Sequence, residues 1–497
     1  MKSQLKHAPL ALALLSILDA QFSTAHAQGS LAPPGIPAPT MKTLDQIEPR
    51  TPITNTGAFT ISAAGSYYLT TNLTVSTGDA ITINADNVTL DLNGFTIFST
   101  APSANGTAIL LNNGRANIAI HNGHIQSGVV TDGSGAFSGS GFANGIYGSS
   151  SLPIIKNVRV ANVSVEGCLA SGIFIGGLIG SVVESCTVNI AGDYGIGADT
   201  ILNSTAIACG STAISAIQAS SCRGESINGS GVSATVAQNC YGKTTLGVGG
   251  ISANTANDCR GESTSPTGWG LSASIAQNCY GSCSGNSYGV FAAFSANNCY
   301  GVSASGYGLL VTNIFTGAGG TAQNCFGIAA NGTGLSAGIA QNCVGSGIIG
   351  LNADSADNCK GTGTTGVGVS VTGSANNCTG VSASGTGLLA TTGGVAVATA
   401  TGCRGTSTSG TGLSANTALN CAGTSGTGTG LSADMAENCY GVSSGSGTGL
   451  RAFGSAIGSY GRNYSNGTGL DAYIANSSRG TSLSGAAVLV SFKYNMP

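Results

Sequence analysis

Leu271-Ser-Ala-Ser-Ile-Ala-Gln-Asn-Cys279 is the clearest copy of a unit that recurs through the second half of this 497-residue chain. It returns as Leu335-Ser-Ala-Gly-Ile-Ala-Gln-Asn-Cys343 and as Leu431-Ser-Ala-Asp-Met-Ala-Glu-Asn-Cys439. Leu, Ala, Ala and Cys keep fixed offsets in all three copies, and units of this kind most often return after 18 to 20 residues. Self-similarity at this period predicts a solenoid, in which each repeat forms one coil and stacks on the next.

The composition is compatible with a solenoid and with few other fold classes. Glycine contributes 80 residues and charged residues only 7 %, a balance that without a period is typical of disordered chains. Hydrophobic residues make up 41 %, mostly at regular offsets, so successive repeats can bury a continuous core. The formal net charge of −3 provides neither a basic stripe nor an acidic tract, and we expect no nucleic-acid partner.

Short strands are predicted upstream of these repeats. Apolar and polar residues alternate from Ile81 to Ile97, with breaks at Asn84-Ala-Asp-Asn87 and Asn93-Gly94 that favour tight bends. No long helical periodicity appears after the first 27 residues, so the strands have no crossover helices between them. Strands this close in sequence must coil, which predicts a single all-β solenoid of the parallel β-helix type, with about 18–20 residues per coil.

Two segments carry a resemblance to a known family. Gly78-Asp-Ala-Ile-Thr-Ile-Asn-Ala-Asp-Asn-Val-Thr-Leu-Asp-Leu-Asn-Gly-Phe-Thr-Ile97 and Val183-Glu-Ser-Cys-Thr-Val188 resemble bacterial right-handed parallel β-helix repeat proteins of the pectate-lyase-like superfamily. The resemblance covers roughly residues 57–490 and implies a right-handed, secreted β-helix. It implies little about function, because this fold carries many functions and no catalytic residue of the family can be matched here.

The termini of the chain predict export and capping. Lys2 and Lys6, an apolar run over residues 10–18 and Ala25-His-Ala27 are typical of a signal peptide cleaved after Ala27. No later stretch is apolar enough to span a membrane, so we expect a secreted, cell-surface or periplasmic protein. The predicted boundaries are 1–27 signal peptide, 28–56 Pro-rich linker and N-terminal cap segment, 57–208 thicker coils, 209–480 slim repeat coils, and 481–497 C-terminal cap.

Three segments are expected to leave the regular coil pattern. Residues 41–48 together with the strands of 59–73 are predicted to cap the N-terminal end, and residues 486–494 the C-terminal end, because uncovered strand edges invite aggregation. The Gly- and Ser-rich residues 127–145 are predicted to loop out of the early coils.

Sixteen cysteines in an exported chain suggest disulfides. Fifteen of them, from Cys168 to Cys439, are interpreted as one repeated position, with Cys283 alone out of register. Because a buried Cys packs as a small hydrophobe, we favour a core ladder of thiols over disulfides between neighbouring coils. No Cys-x-x-Cys pair or companion His accompanies them, so neither a metal site nor any other cofactor is predicted.

An asparagine precedes the repeated cysteine in most units. Stacked amides at a bend can hydrogen-bond to one another and to the turn backbone, and we favour this structural role over a ligand site. The positions are Asn239, Asn278, Asn298, Asn324, Asn342, Asn358, Asn377, Asn420 and Asn438.

Catalytic residues are hard to find. His121 and His124 are the only histidines after the signal peptide, and no third partner is evident. A lyase or hydrolase of this architecture would need clustered acids, with a basic residue or facing carboxylates in one groove. The paired acids are interpreted instead as solvated loop residues: Asp86 with Asp91, and Asp193 with Asp199.

Two outward rows of aromatic and basic residues form the candidate binding site. The residue after the repeated Cys is, in successive units, Arg223, Tyr241, Arg260, Tyr280, Tyr300 and Phe326, and a second row contains Trp269, Tyr288 and Tyr307. Residues one coil apart are predicted to stack on one face, forming a flat stripe that could pack on sugar rings. The alternative is that these rows only stabilise the solenoid surface.

The sequence leaves three functions open. We favour a non-enzymatic rod, structural, adhesive or glycan-binding, with polysaccharide or cell-surface glycan as partner and a monomeric state. A carbohydrate-active enzyme with a groove on residues 79–199 is the alternative. Ice or mineral binding through threonines before Gly-Leu ranks last, because other coils have Val, Tyr or Trp there.

Overall fold

The computed structural model describes residues 49–149, 151–177, 179–312, 319–391 and 397–496. Two compact units divide the chain, Met1–Pro49 and Arg50–Pro497. The predicted signal peptide, the Pro-rich segment 31–39 and the proposed cap segment 41–48 lie outside the described residues. Among the described residues none is helical, and the unit from Arg50 onward is all-β.

Short strands of two to thirteen residues make up this unit. The strands before residue 210 are β1 (Thr51–Ile53), β2 (Phe59–Ile61), β3 (Gly65–Leu69), β4 (Leu73–Val75), β5 (Ile81–Ile83), β6 (Val88–Asp91), β7 (Thr96–Ser99), β8 (Thr107–Leu111), β9 (Ala116–Gln126), β10 (Gly128–Thr131), β11 (Phe137–Ser140), β12 (Asn144–Gly148), β13 (Lys156–Cys168), β14 (Ile173–Phe174), β15 (Val182–Glu184), β16 (Thr187–Ala191), β17 (Ile196–Leu202) and β18 (Thr205–Cys209). The strands that follow are β19 (Ile214–Ser220), β20 (Arg223–Ser226), β21 (Ser230–Gln238), β22 (Tyr241–Thr244), β23 (Gly249–Asn257), β24 (Arg260–Ser263), β25 (Trp269–Gln277), β26 (Tyr280–Cys283), β27 (Tyr288–Asn297), β28 (Tyr300–Ser303), β29 (Tyr307–Val311), β30 (Thr321–Gln323), β31 (Phe326–Ala329), β32 (Thr333–Gln341), β33 (Val344–Gly347) and β34 (Ile349–Asp357). The last are β35 (Lys360–Gly363), β36 (Val369–Asn376), β37 (Thr379–Ser382), β38 (Leu388–Ala390), β39 (Thr399–Thr401), β40 (Arg404–Ser407), β41 (Leu413–Leu419), β42 (Ala422–Ser425), β43 (Leu431–Glu437), β44 (Tyr440–Ser443), β45 (Leu450–Ile457), β46 (Tyr460–Asn463), β47 (Leu470–Asn476), β48 (Arg479–Ser482) and β49 (Val488–Tyr494).

Parallel pairing joins 47 of these strands into one continuous sheet that coils about 23 times. The prediction of an all-β parallel solenoid is therefore confirmed. Among the strands of the described residues, only β10 and β11 pair antiparallel, as a separate two-stranded sheet. This hairpin lies within residues 127–145, so the predicted excursion from the early coils is also confirmed.

One coil shows how the repeat unit folds. The short strand β26 begins at Tyr280, a loop follows it, and the long strand β27 runs to Asn297 before the corner at Asn298 and Cys299. Along each short strand the first and third residues point outward and the second and fourth inward, as the alternating burial shows. Tyr280 and Tyr300, twenty positions apart, pair directly across neighbouring coils.

The coils are slim because glycine backbones meet across the core. A β-carbon built on Gly301, the second residue of a short strand, would lie 2.0 Å from the carbonyl oxygen of Gly308 on the adjoining long strand. The same close approach recurs at Gly281 and Gly289. The glycines of the repeated Cys-x-Gly and x-Gly-Leu patterns therefore fill the core, with Leu, Ala and Cys beside them.

The predicted asparagine ladder is confirmed, and its cause is the backbone. Asn298 has φ +52°, in the left-handed region that Asn and Gly tolerate best. Its side-chain amide donates to Oδ1 of Asn278 at 3.1 Å, so neighbouring corners are also tied together. Gly402 and Gly458 occupy equivalent corners with φ +62° and +56°, which shows that the conformation decides the residue type.

All sixteen cysteines are buried free thiols, but they form two columns. The sequence interpretation was wrong in placing Cys168 and Cys209 with the repeated corner cysteine. Pairing places both in another inward column, which continues through Ser226 to Cys283. Cys283 is thus in register with two others, and the remaining thirteen cysteines form the corner column.

The corner column provides hydrogen-bond acceptors for buried backbone N–H groups. The backbone N–H of Cys325 points at Sγ of Cys343 at 3.5 Å, and the N–H of Cys343 at Sγ of Cys359 at 3.4 Å. Each thiol in turn donates to a backbone carbonyl, as Cys343 does to Ala322. Ser204 and Ser459 occupy the same position and accept the same bond, so the column needs a small side chain that both accepts and donates.

Fully buried leucines and isoleucines occur along the whole unit, from Ile53 to Leu470, and Phe142 is the largest fully buried side chain. Strand β49, within the proposed C-terminal cap, pairs with β47 in the register of the repeats. In that register Lys493 pairs with Ala475, a fully buried residue of the preceding coil.

Candidate functional site

The first predicted row is a continuous column on the outward side of the short strands. We call it the stacked row, and its members pair one after another in the parallel sheet. They are Arg223, Tyr241, Arg260, Tyr280, Tyr300 and Phe326. Each is the first residue of its strand and follows the corner cysteine directly, so the corner column fixes where the row points.

The rings of this row stack on one another. Tyr280 and Tyr300 have centroids 5.6 Å apart with planes 9° apart, and Tyr300 and Phe326 are 5.1 Å and 1° apart. Rings lying side by side in one plane could not come this close, so the faces overlap. That this stripe packs on sugar rings stays a prediction; the stacking leaves mainly ring edges and phenol hydroxyls to solvent, and Tyr300 is 38 % exposed.

Arginines extend the stack and are held by acids on the same strands. The guanidinium of Arg260 lies 5.0 Å from the Tyr280 ring centroid, and that of Arg223 lies 5.6 Å from the ring of Tyr241. Nε of Arg260 donates to Glu262 at 2.7 Å, and Nε of Arg223 donates to Glu225 at 2.8 Å. These ion pairs raise the pKa values of both arginines and neutralise their charges.

Tyr241 is the most constrained phenol of the row. Its hydroxyl donates to Oε2 of Glu262 at 3.0 Å. Burial, followed by that hydrogen bond, raises the pKa of Tyr241 to about 12, so the phenol stays protonated at neutral pH. This end of the stacked row is a closed network in which each polar group already has a partner.

The second predicted row is only partly formed. Tyr288 and Tyr307 pair across coils and stack with centroids 5.9 Å apart. Trp269 does not join them: its indole lies over Gly249 of the preceding coil, where a β-carbon would be 2.1 Å from Nε1. The missing side chain at Gly249 leaves room for the indole, and Nε1 is buried without a hydrogen-bond partner.

Sequence reasoning missed that the stacked row resumes near the C-terminal end. Tyr440 and Tyr460 stack at 5.5 Å, and the guanidinium of Arg479 lies 5.9 Å from the Tyr460 ring centroid. Following the residue after each corner through every coil would have found them. Pairing links them to Phe326 through Val344, Lys360, Thr379, Arg404 and Ala422.

Several acids of residues 79–199 are bound to backbone N–H groups or to arginine. Asp86 accepts from the backbone N–H of the neighbouring coil at Ala116, and Asp199 accepts from Gly180. Asp91 accepts from the backbone of Asn93 at 2.9 Å. Hydrogen bonds from backbone N–H groups account for the positions of these three acids.

The histidines do have neighbours that the sequence did not reveal. Nδ1 of His121 lies 3.4 Å from Asp91, whose other carboxylate oxygen accepts from Arg50 at 3.1 Å. Nδ1 of His124 lies 2.6 Å from Oγ of Ser164. Asp91 and His121 pair on adjacent coils, so both contacts follow from the parallel register.

Two further properties bear on function. Within the described ranges, no group of three or more His, Cys, Asp or Glu side chains is placed to hold a metal ion. Nor does that part of the chain form a helix of the length and apolarity needed to cross a bilayer. Comparison of the chain with family models, with curated proteins and with solved structures finds no match.

Proposed function

We propose that this chain is a non-catalytic, secreted or cell-surface β-solenoid that binds a glycan along the stacked row. The signal-peptide pattern ending at Ala27 supports export. A solenoid suits such a role because its stacked coils present one long, regular face. Within this proposal the protein acts as a monomeric adhesive or structural rod.

The observation that supports the proposal most is the uninterrupted outward column from Arg223 to Phe326. Tyr and Arg contribute most to binding energy at recognition surfaces, through apolar area combined with polar tips. Here the rings are already held by stacking, so they lose little conformational freedom on binding a ligand. Because the ring faces are covered, contact would be made by ring edges and by the hydroxyls of Tyr280 and Tyr300.

A matched pair of triple variants tests the proposal. Tyr280→Ala/Tyr300→Ala/Phe326→Ala should abolish binding on a glycan array. Phe294→Ala/Phe453→Ala/Tyr473→Ala, which removes exposed rings from the long strands, should leave it unchanged. Equal loss in both variants, or no binding by the parent protein to any glycan, would remove the support for this function.

A carbohydrate-active enzyme is the second candidate. The contacts of His121 with Asp91 and of His124 with Ser164 favour it, because they bring acid, base and hydroxyl groups onto neighbouring coils. A likeness to pectate-lyase-like proteins would also fit that role. Oligosaccharide released from any bound glycan, and lost in a His121→Ala/His124→Ala variant, would establish catalysis in place of simple binding.

A further inference from the structure

The charges of the C-terminal half are sorted between faces. From Tyr280 to Ser482 the short strands and the loops that follow them contain no Asp or Glu. The acids beyond Glu262 all lie on long strands: Asp354, Asp357, Asp434, Glu437 and Asp471. The cations of the short strands in this stretch are Lys360, Arg404, Arg462 and Arg479.

These cations differ from those at the start of the stacked row. Arg223 and Arg260 are paired with glutamates, whereas Lys360, Arg404 and Arg479 form no ion pair among the described residues. All three point outward from the first position of their strands and are exposed. The short-strand face therefore carries unneutralised positive charge in its C-terminal half, although the chain as a whole has a net charge of −3.

From this sorting we infer that the short-strand face between Tyr280 and Ser482 binds a linear acidic polysaccharide lying along the solenoid axis. The inference rests on the proposed function and names the ligand class for the same row. From Lys360 to Arg479 the row climbs six coils. At about 4.8 Å per strand this is about 29 Å, so only an extended ligand can reach both ends.

The ring geometry selects a glycan over a single-stranded nucleic acid. Bases are held by stacking on free aromatic faces, and the faces of Tyr300 are covered by Tyr280 and Phe326. Carboxylates or sulfates on a sugar chain can pair with the free cations, while sugar hydroxyls can hydrogen-bond to the exposed phenols. Both kinds of contact are available on one line of the surface.

The test compares polymers of one backbone that differ in charge. Dextran sulfate should bind the mature protein and uncharged dextran of the same length should not. Affinity should fall about 20- to 150-fold between about 50 and 200 mM salt, as expected when three or four charges are neutralised on binding. Hyaluronan, which bears carboxylates, shows whether carboxylate groups bind as well as sulfate groups. Tighter binding of either acidic glycan than of uncharged dextran supports the inference.

Variants assign the effect to this face. Lys360→Gln/Arg404→Gln/Arg479→Gln should weaken dextran sulfate binding at least about tenfold. Lys156→Gln/Arg159→Gln/Arg451→Gln removes the same charge from other faces and should change the affinity less than about twofold. Equal weakening in both variants, or equal binding of an oligothymidylate through the same three residues, would overturn the inference.

The outcomes separate this inference from the proposed function. Salt-independent binding of neutral glycans that is lost in the Tyr280→Ala/Tyr300→Ala/Phe326→Ala variant would disprove an acidic ligand and leave glycan binding intact. Absence of binding to every glycan by protein with a native circular dichroism spectrum would disprove both.

Discussion

The rings of Tyr300 and Phe326 lie 1° from parallel with centroids 5.1 Å apart, although 26 positions separate the residues in sequence. The parallel register holds them one coil apart whatever the length of chain between them. Such a stack serves two purposes at once, because it stabilises the surface of the solenoid and fixes polar ring edges in a line. The two interpretations that the sequence left open are therefore not exclusive.

The stack itself should be measurable. In a double-mutant cycle, Tyr300→Ala and Phe326→Ala should show a coupling of about 0.5–1.5 kcal/mol in the free energy of unfolding. Urea titration of the parent, the two single variants and the double variant provides the four values. Fully additive effects would mean that each ring packs only on its own coil.

The corner column should tolerate serine better than alanine. Cys343→Ser should change the free energy of unfolding by less than about 1 kcal/mol, because Ser204 and Ser459 already fill this position. Cys343→Ala should cost about 1–3 kcal/mol, since the buried N–H of Cys325 loses its acceptor. Equal costs in urea unfolding would show that the column matters only for packing.

Burial of the thiols should make the protein sensitive to alkali. Burial raises the pKa of Cys168 from 9.0 to about 12, and burial is also the largest cause that raises the pKa of Cys186 to about 11. Below pH 9 both folded and unfolded states keep these protons, so stability is unaffected. Between pH 9 and pH 12 the unfolded state releases them first, and the free energy of unfolding falls with rising pH.

Two measurements check this. Thermal unfolding temperatures should be constant from pH 6 to 8 and decline above pH 9, with a shallower decline in a Cys168→Ser/Cys186→Ser variant. A thiol reagent at pH 8 should label the native protein at none of its cysteines and the unfolded protein at all sixteen. Rapid labelling of the native state would mean that the coils open readily.

The sequence could predict those features of the fold whose physical cause lies within a single coil. The offsets of Leu, Ala and Cys act within one coil, and they were enough to establish the solenoid and its inward face. The orientation of Trp269 depends on the space above Gly249, one coil earlier, which spacing alone does not reveal. Cys209 was misplaced because the sequence does not show that Ser204, five residues earlier, occupies the corner of that coil.

The sequence analysis also did not predict that glycines fill the core, because this depends on contacts between strands. Glycine at a repeated offset was interpreted as a matter of composition, and only the approach of a second strand shows why a side chain is excluded. Gly301→Ala should therefore destabilise strongly, by about 3 kcal/mol or more, because its β-carbon would meet the backbone oxygen of Gly308 at 2.0 Å. Gly176→Ala, whose nearest neighbour would be 3.5 Å away, is the control and should be nearly neutral in urea unfolding.

The last prediction concerns the C-terminal coil, where a strand edge lacks a further coil among the described residues. Lys493 stands in register with Ala475, at a position where the preceding coils bury alanine. A charge in the core column of an edge strand opposes pairing with another chain, because stacking would bury the ammonium group.

Lys493→Ala should therefore make the protein associate end to end at concentrations where the parent stays dispersed. Sedimentation velocity would detect the larger species, and Lys156→Ala, which removes a charge from a strand inside the solenoid, should leave the sedimentation coefficient unchanged. If both variants sediment like the parent, Lys493 has no protective role and the edge is blocked by another feature of the coil.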